Sequence, residues 1–349
     1  MVNSYLVTGL KYLDNIISVQ KTVLITGGAG FIGFHLGRHL ASIGYRIKII
    51  DNYRRAVNDQ ELSKLQSDWN VEIVDVDLNN SAETLQLGDS YNYVIHLAAI
   101  IGVSHVENQP YKVLVENVRM LENVISLCRQ QKNLVRLIFT STSEVYSGTL
   151  ENHSMVVPTS EVTPLTCGPA SRPRTSYMLS KIYGEVMCVQ SALPFTVLRP
   201  HNIFGPRMGM AHVIPEQFQK IFNSKSGDTV SVNSPQHTRA FCYISDAVTM
   251  IEKVMLKDSC TNQILNLGSD KLEISIYELV KICIRIAGRS LDIECYEPSD
   301  GSPARRCPDM SVMFKHIGYS AQIELEEGLE VTWRWYTKNV FEKDGLTAI

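Results

Sequence analysis

The sequence of 349 residues predicts an α/β fold, a doubly wound parallel sheet with a smaller, interleaved α/β lobe, and three observations carry that expectation. From residue 22 onward, short β-branched apolar runs alternate with longer helical stretches, which is the rhythm of parallel βαβ units. Most of these runs are apolar along their length, as strands covered by helices on both faces are. The first leads straight into a glycine-rich turn that opens a helix.

Taken in order, the elements begin with an extension. Within residues 1–20, Leu6, Leu10, Leu13 and Ile17 recur at helical spacing and predict a short amphipathic helix, docked on the body of the protein or on a second subunit. The segment lacks the basic start, continuous apolar middle and small-residue cleavage site of a signal peptide. Strands are expected at 23–26, 46–50, 71–76, 93–97, 135–140, 195–198 and 264–267. On the helix before the fifth strand, Val118, Leu121, Val124 and Ile125 form an apolar stripe that belongs either to the core or to a subunit contact. Residues 147–176 are rich in Pro, Ser, Thr and Gly without periodicity, so a long loop is expected, and long loops in compact domains are often functional.

Beyond Pro200 the alternation weakens. There a helix is expected at 216–222, a strand near Val230, a helix at 247–256, and another with Ile276, Val280, Cys283 and Ala287 on one face. The expected organisation is an extension (1–20), a dinucleotide-binding body (21–200, with 239–268 returning to it) and a substrate lobe (201–238 and 269–349).

Composition narrows the class. At 44% hydrophobic and 20% charged, the chain fits neither a disordered nor a fibrous protein. A net charge of -3 with no run of Lys and Arg argues against nucleic acid as a partner. No apolar run approaches the ~20 residues that span a bilayer. Eight cysteines without a Cys-x-x-Cys pair read as reduced thiols and not as metal ligands, which favours a cytoplasmic location and no metal.

The glycine turn is Gly27-Gly28-Ala29-Gly30-Phe31-Ile32-Gly33. Gly27 permits a tight turn, Gly30 lets the backbone approach a pyrophosphate, and Gly33 lets the helix lie close to the sheet. The first helical amides, around Phe31 and Ile32, then face the phosphates. Asp51 ends the second strand, where a carboxylate accepts hydrogen bonds from the adenosine ribose and repels a 2′-phosphate, favouring NAD over NADP. Arg54 and Arg55 lie just beyond and support the opposite preference. Asp77 and Leu78, at the end of the third strand, are expected to border the adenine.

Tyr177 and Lys181 stand four apart on an expected helix and so share a face. A phenol of pKa about 10 becomes more acidic beside an ammonium and can then take a proton from an alcohol as hydride leaves for a nicotinamide. The fifth strand ends in Thr140-Ser141-Thr142-Ser143-Glu144-Val145-Tyr146, at the carboxyl edge where open α/β sheets bind ligands. One of those hydroxyls is expected to orient the reacting alcohol.

With these motifs the chain resembles the extended short-chain dehydrogenases that act on nucleotide sugars, a family of 4-epimerases, 4,6-dehydratases and UDP-glucuronate decarboxylases with the Rossmann fold. The resemblance rests on TGGAGFIG (26–33), HLAA (96–99), TSTSEVY (140–146), YMLSK (177–181), RPHNIFGPR (199–207), RAFCYISDA (239–247), NLGS (266–269) and RRCPD (305–309). It implies that Thr142, Tyr177 and Lys181 are the catalytic hydroxyl, the base and the cofactor-binding lysine. It further implies that Ala98 borders NAD, that Ser143 touches substrate, and that Asn202, Arg239 and Arg306 hold the diphosphate of an NDP-sugar, with Arg305 able to exchange places with Arg306. A homodimer is implied as well.

Glu144 divides the family, serving proton abstraction at C5 in dehydratases and lying beside the departing carboxylate in decarboxylases. Ser143, where the dTDP-glucose dehydratases carry aspartate, makes the Thr-Ser-Glu order similar to GDP-mannose dehydratases and decarboxylases. Arg174 and RMGM (207–210) also resemble decarboxylases, whereas YMLSK is closer to epimerases and dehydratases. The expected reaction begins with oxidation at C4 of an NDP-sugar, Tyr177 taking the hydroxyl proton. Epimerisation, dehydration or decarboxylation follows according to Glu144. A net 4-dehydrogenase and a redox-silent NAD-binding scaffold are the remaining readings.

Overall fold

The computed structural model describes residues 20–152, 156–297 and 304–343. The helix expected around Leu6 to Ile17 lies outside the described residues. Seven strands form one parallel sheet: β1 (Thr22–Thr26), β2 (Arg46–Asp51), β3 (Glu72–Asp75), β4 (Tyr93–His96), β5 (Arg136–Thr140), β6 (Phe195–Pro200) and β7 (Gln263–Leu267). Their order is β7-β6-β5-β4-β1-β2-β3. The chain runs outward from β1 to β3, then returns to β4 on the other side of β1. This reversal splays the connections apart at the carboxyl ends of β1 and β4 and opens a crevice there.

Apolar strands are required because both faces are covered. Along β1, Val23 and Ile25 join one buried cluster with Leu36, Leu40, Ile47 and Ile49, while Leu24 points the other way to meet Val94, Val124, Leu127 and Leu137. Helix α1 (Phe31–Ser42) covers the first face, and α2 (Pro110–Gln130) packs beside α3 (Pro173–Gln190) on the second. The Leu121, Val124 and Ile125 stripe is buried in that second cluster, so it serves the core and not a subunit contact; Val118 is half-buried.

The segment read as a loop at 147–176 is shorter than expected. Thr142 caps a 3-10 turn at Ser143–Tyr146 by accepting from the Glu144 amide at 3.2 Å, and that turn continues into a helix at Ser147–Asn152. At the other end α3 starts at Pro173, because a proline in the first helical turn gives up no hydrogen bond there. Polar, capping-rich composition concealed both boundaries.

After β6, helices Val213–Asn223 and Ile276–Ile286 pack on a parallel strand pair, Thr229–Asn233 with Asp292–Tyr296, around a separate cluster that includes Phe218, Val232, Leu279, Cys283 and Leu329. Ala287 caps the second of these helices. A three-stranded ribbon, Glu273–Ser275, Thr238–Ala240 and Arg305–Arg306, faces the crevice. Arg207 anchors this part to the start of the helix after β2 (Gln60–Trp69), its Nη1 lying 2.5 Å from Asp59 and 3.4 Å from Glu61.

Candidate active site

The glycine turn closes the crevice under β1. Gly27 has φ +66°, and a Cβ there would stand 2.7 Å from the Ala98 backbone; a Cβ on Gly33 would stand 2.5 Å from Gly28 Cα. Helix α1 therefore starts hard against the sheet, and it starts at Gly30 without a side-chain cap. A Cβ on Gly30 would meet only the Gly27 carbonyl, at 3.2 Å, so this amide edge stays open to an approaching diphosphate. Asp51 takes the Ala29 amide at 3.1 Å on Oδ2 and the Tyr53 amide at 2.9 Å on Oδ1, which fixes its carboxylate at the turn. Burial nonetheless raises its pKa above the ordinary value.

Arg54 is committed away from the crevice, to Glu116 at 2.9 Å and Asp77 at 3.2 Å. Asp77 sits below the ordinary carboxylate range: its burial works upward, but hydrogen bonds from Asn79 and the Arg54 charge outweigh it. The Leu78 side chain is buried in the core, and its carbonyl accepts from Asn123 at 2.7 Å. A turn with an open amide edge and an acid at the second strand suits a dinucleotide carrying a free 2′-hydroxyl. Gly27, Gly30, Phe31, Ile32, Gly33, Asp51 and the Ala98 backbone would hold NAD, which supplies a hydride acceptor when bound.

Tyr177 and Lys181 both project from α3 toward the end of β5 and are buried. The structure differs here from the simple expectation of a phenol acidified by the ammonium. Lys181 Nζ donates to the Thr140 carbonyl at 2.8 Å and lies 6.0 Å from the Tyr177 ring centroid. Burial pushes the Tyr177 phenol well up, the Glu144 charge adds to this, and a hydrogen bond with Thr142 together with the Arg55 charge opposes it. Burial also lowers Lys181 to about 8. Both groups are desolvated more than they are paired.

Glu144 reaches the same crevice from the 3-10 turn. Arg306 Nη2 stands 2.8 Å from its Oε1, Arg174 Nη2 stands 3.6 Å from the same oxygen, and Ser147 Oγ lies 3.3 Å from Oε2. Its burial acts upward, yet the two guanidinium groups hold the carboxyl below its usual range. Ser143, beside it, is buried. Of the two adjacent arginines, Arg306 faces inward, while Arg305 forks outward onto Glu273 at 2.9 and 2.6 Å. Arg306 is the ribbon partner of Arg239, whose pKa falls to about 10 through burial and the Arg306 charge. Arg239, Asn202 and Gln217 line a cleft of about 230 Å³ with Val213, Phe241 and Ile276, where Asn202 donates to the Ala240 carbonyl at 2.9 Å.

Sequence reasoning missed what lies beneath these groups. Glu185, one turn past Lys181 on α3, takes Arg199 on both oxygens at 2.9 and 2.7 Å and Ser141 Oγ at 2.5 Å. Arg199 passes the chain of contacts to the Tyr146 hydroxyl at 2.8 Å, and Tyr146 to Asn266 at 2.9 Å. On the other flank, Asn117 accepts the Ile100 amide at 2.7 Å and donates to Ser180 at 3.2 Å. The available signals were Glu185 at helical spacing from Lys181 and a polar Asn117 inside an apolar stripe. Because both members of the Glu185–Arg199 pair are buried, Arg199→Ala is expected to destabilise the protein by about 3–5 kcal/mol. Urea unfolding measures this, and a loss under about 1 kcal/mol would show that the pair is solvated.

The sequence matches the NAD dependent epimerase/dehydratase family over residues 23–268. The chain belongs to that family. Its relatives include the UDP-N-acetyl-alpha-D-glucosaminuronate decarboxylase of Bacillus cytotoxicus, 29% identical over 91% of this chain and 98% of the relative. Another is UDP-glucuronic acid decarboxylase 1 of Xenopus tropicalis, 30% identical over 92% of this chain and 73% of the relative. Among solved structures, the UDP-N-acetylglucosamine 4-epimerase of Methanobrevibacter ruminantium superposes with a TM-score of 0.80 at 24% identity, covering 92% of this chain and 99% of that one. The UDP-glucuronic acid 4-epimerase of Bacillus cereus, solved with NAD, gives 0.78 at 23% identity, covering 91% and 99%. As a family member the chain is an NAD-dependent enzyme of nucleotide-sugar chemistry. Among the described residues no cluster of metal-ligating side chains occurs, and no helix is long and apolar enough to cross a membrane.

Proposed function

We propose that this enzyme decarboxylates a UDP-sugar uronate through transient oxidation at C4. The observation that carries the reading is Glu144, held as an anion by Arg306 and Arg174 within the influence of Tyr177. Guanidinium groups are the usual partners of carboxylates, so Arg306 and Arg174, which already meet the Glu144 carboxylate, are of the kind that would also meet the carboxylate of a uronate substrate. A carboxyl pulled below its usual range is a weak base and serves poorly to abstract a C5 proton.

In this reading Tyr177 takes the C4 hydroxyl proton and Thr142 orients the oxygen. Once C4 is a ketone, the C5 carboxylate is a β-keto acid, and carbon dioxide leaves as its bonding electrons move to the C4 oxygen. Thr142 and Tyr177 hold that oxygen. Glu144, an anion beside the departing group, disfavours the charged carboxylate relative to neutral carbon dioxide. Protonation at C5 and return of hydride to C4 complete a cycle with no net redox change. Arg239 and Asn202 would hold the diphosphate, and the cleft of Val213, Phe241 and Ile276 would take the base.

The decisive measurement is mass spectrometry of products from UDP-glucuronate and its N-acetylglucosamine counterpart without added reductant. The expected product has lost carbon dioxide and kept the nucleotide. Unchanged mass with inverted C4 would replace the reading by epimerisation, loss of water by dehydration, and accumulation of NADH with a 4-keto product by net dehydrogenation.

A further inference from the structure

Two arginines follow Asp51, and the structure sends them in opposite directions. Arg54 is neutralised by Glu116 and Asp77 at the adenine end. Arg55 turns into the crevice, its Nη2 lying 3.9 Å from where a Cβ on Gly102 would stand, in the connection after β4. Gly102 has φ +111°, a conformation that excludes most side chains and keeps this space free. Among the described residues the Arg55 guanidinium has no hydrogen-bond or ion-pair partner. One side is open to solvent, yet enough protein surrounds the group for burial to lower its pKa, and its charge acts on both Asp51 and Tyr177. Strand β1 lies between β2 and β4 in the sheet, so a side chain that starts just after β2 and ends beside the connection after β4 crosses the carboxyl end of β1, where the glycine turn begins.

We propose that Arg55 is a clamp on the pyrophosphate of NAD, reaching across from the end of β2 to Gly102 and opposing the amide edge of the glycine turn. A guanidinium that crosses above the glycine turn with no partner among the described residues would be completed by an anion held between it and the open amides. Its purpose follows from an internal redox cycle, in which the cofactor stays bound between turnovers. The contact itself rests on the NAD-dependence of the family and not on the decarboxylation reading.

The test is calorimetric titration of the enzyme and its Arg55→Ala and Arg55→Lys variants, freed of bound cofactor, with NAD, NADP, ADP-ribose and adenosine. Arg55→Ala is expected to weaken NAD and ADP-ribose by about 10- to 100-fold, the size of one charge-assisted hydrogen bond, and to leave adenosine unchanged. Arg55→Lys should recover part of the loss, because it restores the charge without the fork. Equal weakening of adenosine, or unchanged NAD binding with an intact thermal midpoint, would overturn the clamp. Weakening of NADP alone would assign Arg55 to a 2′-phosphate instead and also overturn it. Since no sugar is present, the result does not depend on which reaction the enzyme performs.

Discussion

Tyr177→Phe is expected to lower kcat by on the order of 10²- to 10⁴-fold while leaving NAD bound. The change removes one oxygen and keeps the ring, which packs against Val106 and Val113, so the wall of the crevice survives. What is lost is the only phenol in contact with Thr142 at the end of β5 among the described residues. Burial and the Glu144 charge both raise this phenol, and Lys181 is engaged with the Thr140 carbonyl, so positive charge brought beside Tyr177 would favour release of its proton. Rapid-mixing absorbance of enzyme-bound NADH after adding a UDP-sugar uronate separates the two functions, since calorimetry reports cofactor binding independently. A variant that forms NADH within tenfold of the wild-type rate would remove Tyr177 as the base.

How much of this was legible beforehand differs between backbone and electrostatics. The seven strands could be read because a parallel sheet covered on both faces demands unbroken apolar runs, and β1 shows why: Leu24 and Ile25 face different clusters, so neither position tolerates a polar residue. The four-residue spacing of Tyr177 and Lys181 correctly placed both on one face of α3. Spacing says nothing about which neighbour each group prefers, and Lys181 prefers a carbonyl. Arg305 and Arg306 show the same limit. Neighbours on a strand point to opposite sides, so one register decides which is inside, and that register is set by pairing with Thr238 and Arg239 far away in the chain. Asn117 and Glu185 escaped notice because a buried polar group is defined by its partners, and those partners, the Ile100 backbone and Arg199, come from other elements.

The second large effect concerns Glu144 and Arg306, and its sign can be worked out. In the wild type, burial works against the carboxylate but two guanidinium groups overcome it, so Glu144 keeps its charge down through the ordinary carboxylate range. It contributes no acid limb to the rate above that range. Arg306→Met removes the 2.8 Å partner and leaves Arg174 at 3.6 Å, so burial regains the upper hand and the pKa rises. The variant should then lose decarboxylation as pH falls through a limb displaced upward. Glu144→Gln keeps the shape and a hydrogen-bond acceptor for Arg306 but removes the charge, and is expected to cost about 10²- to 10³-fold in kcat with little change in KM. The double variant should cost far less than the product of the two single losses, because each single change already disables one shared unit. Carbon dioxide release followed from pH 5 to 9 checks all three. Glu144→Gln retaining decarboxylation within threefold, or Arg306→Met showing no upward displacement, would leave the pair with a structural role, and the charge argument for a uronate substrate would go with it.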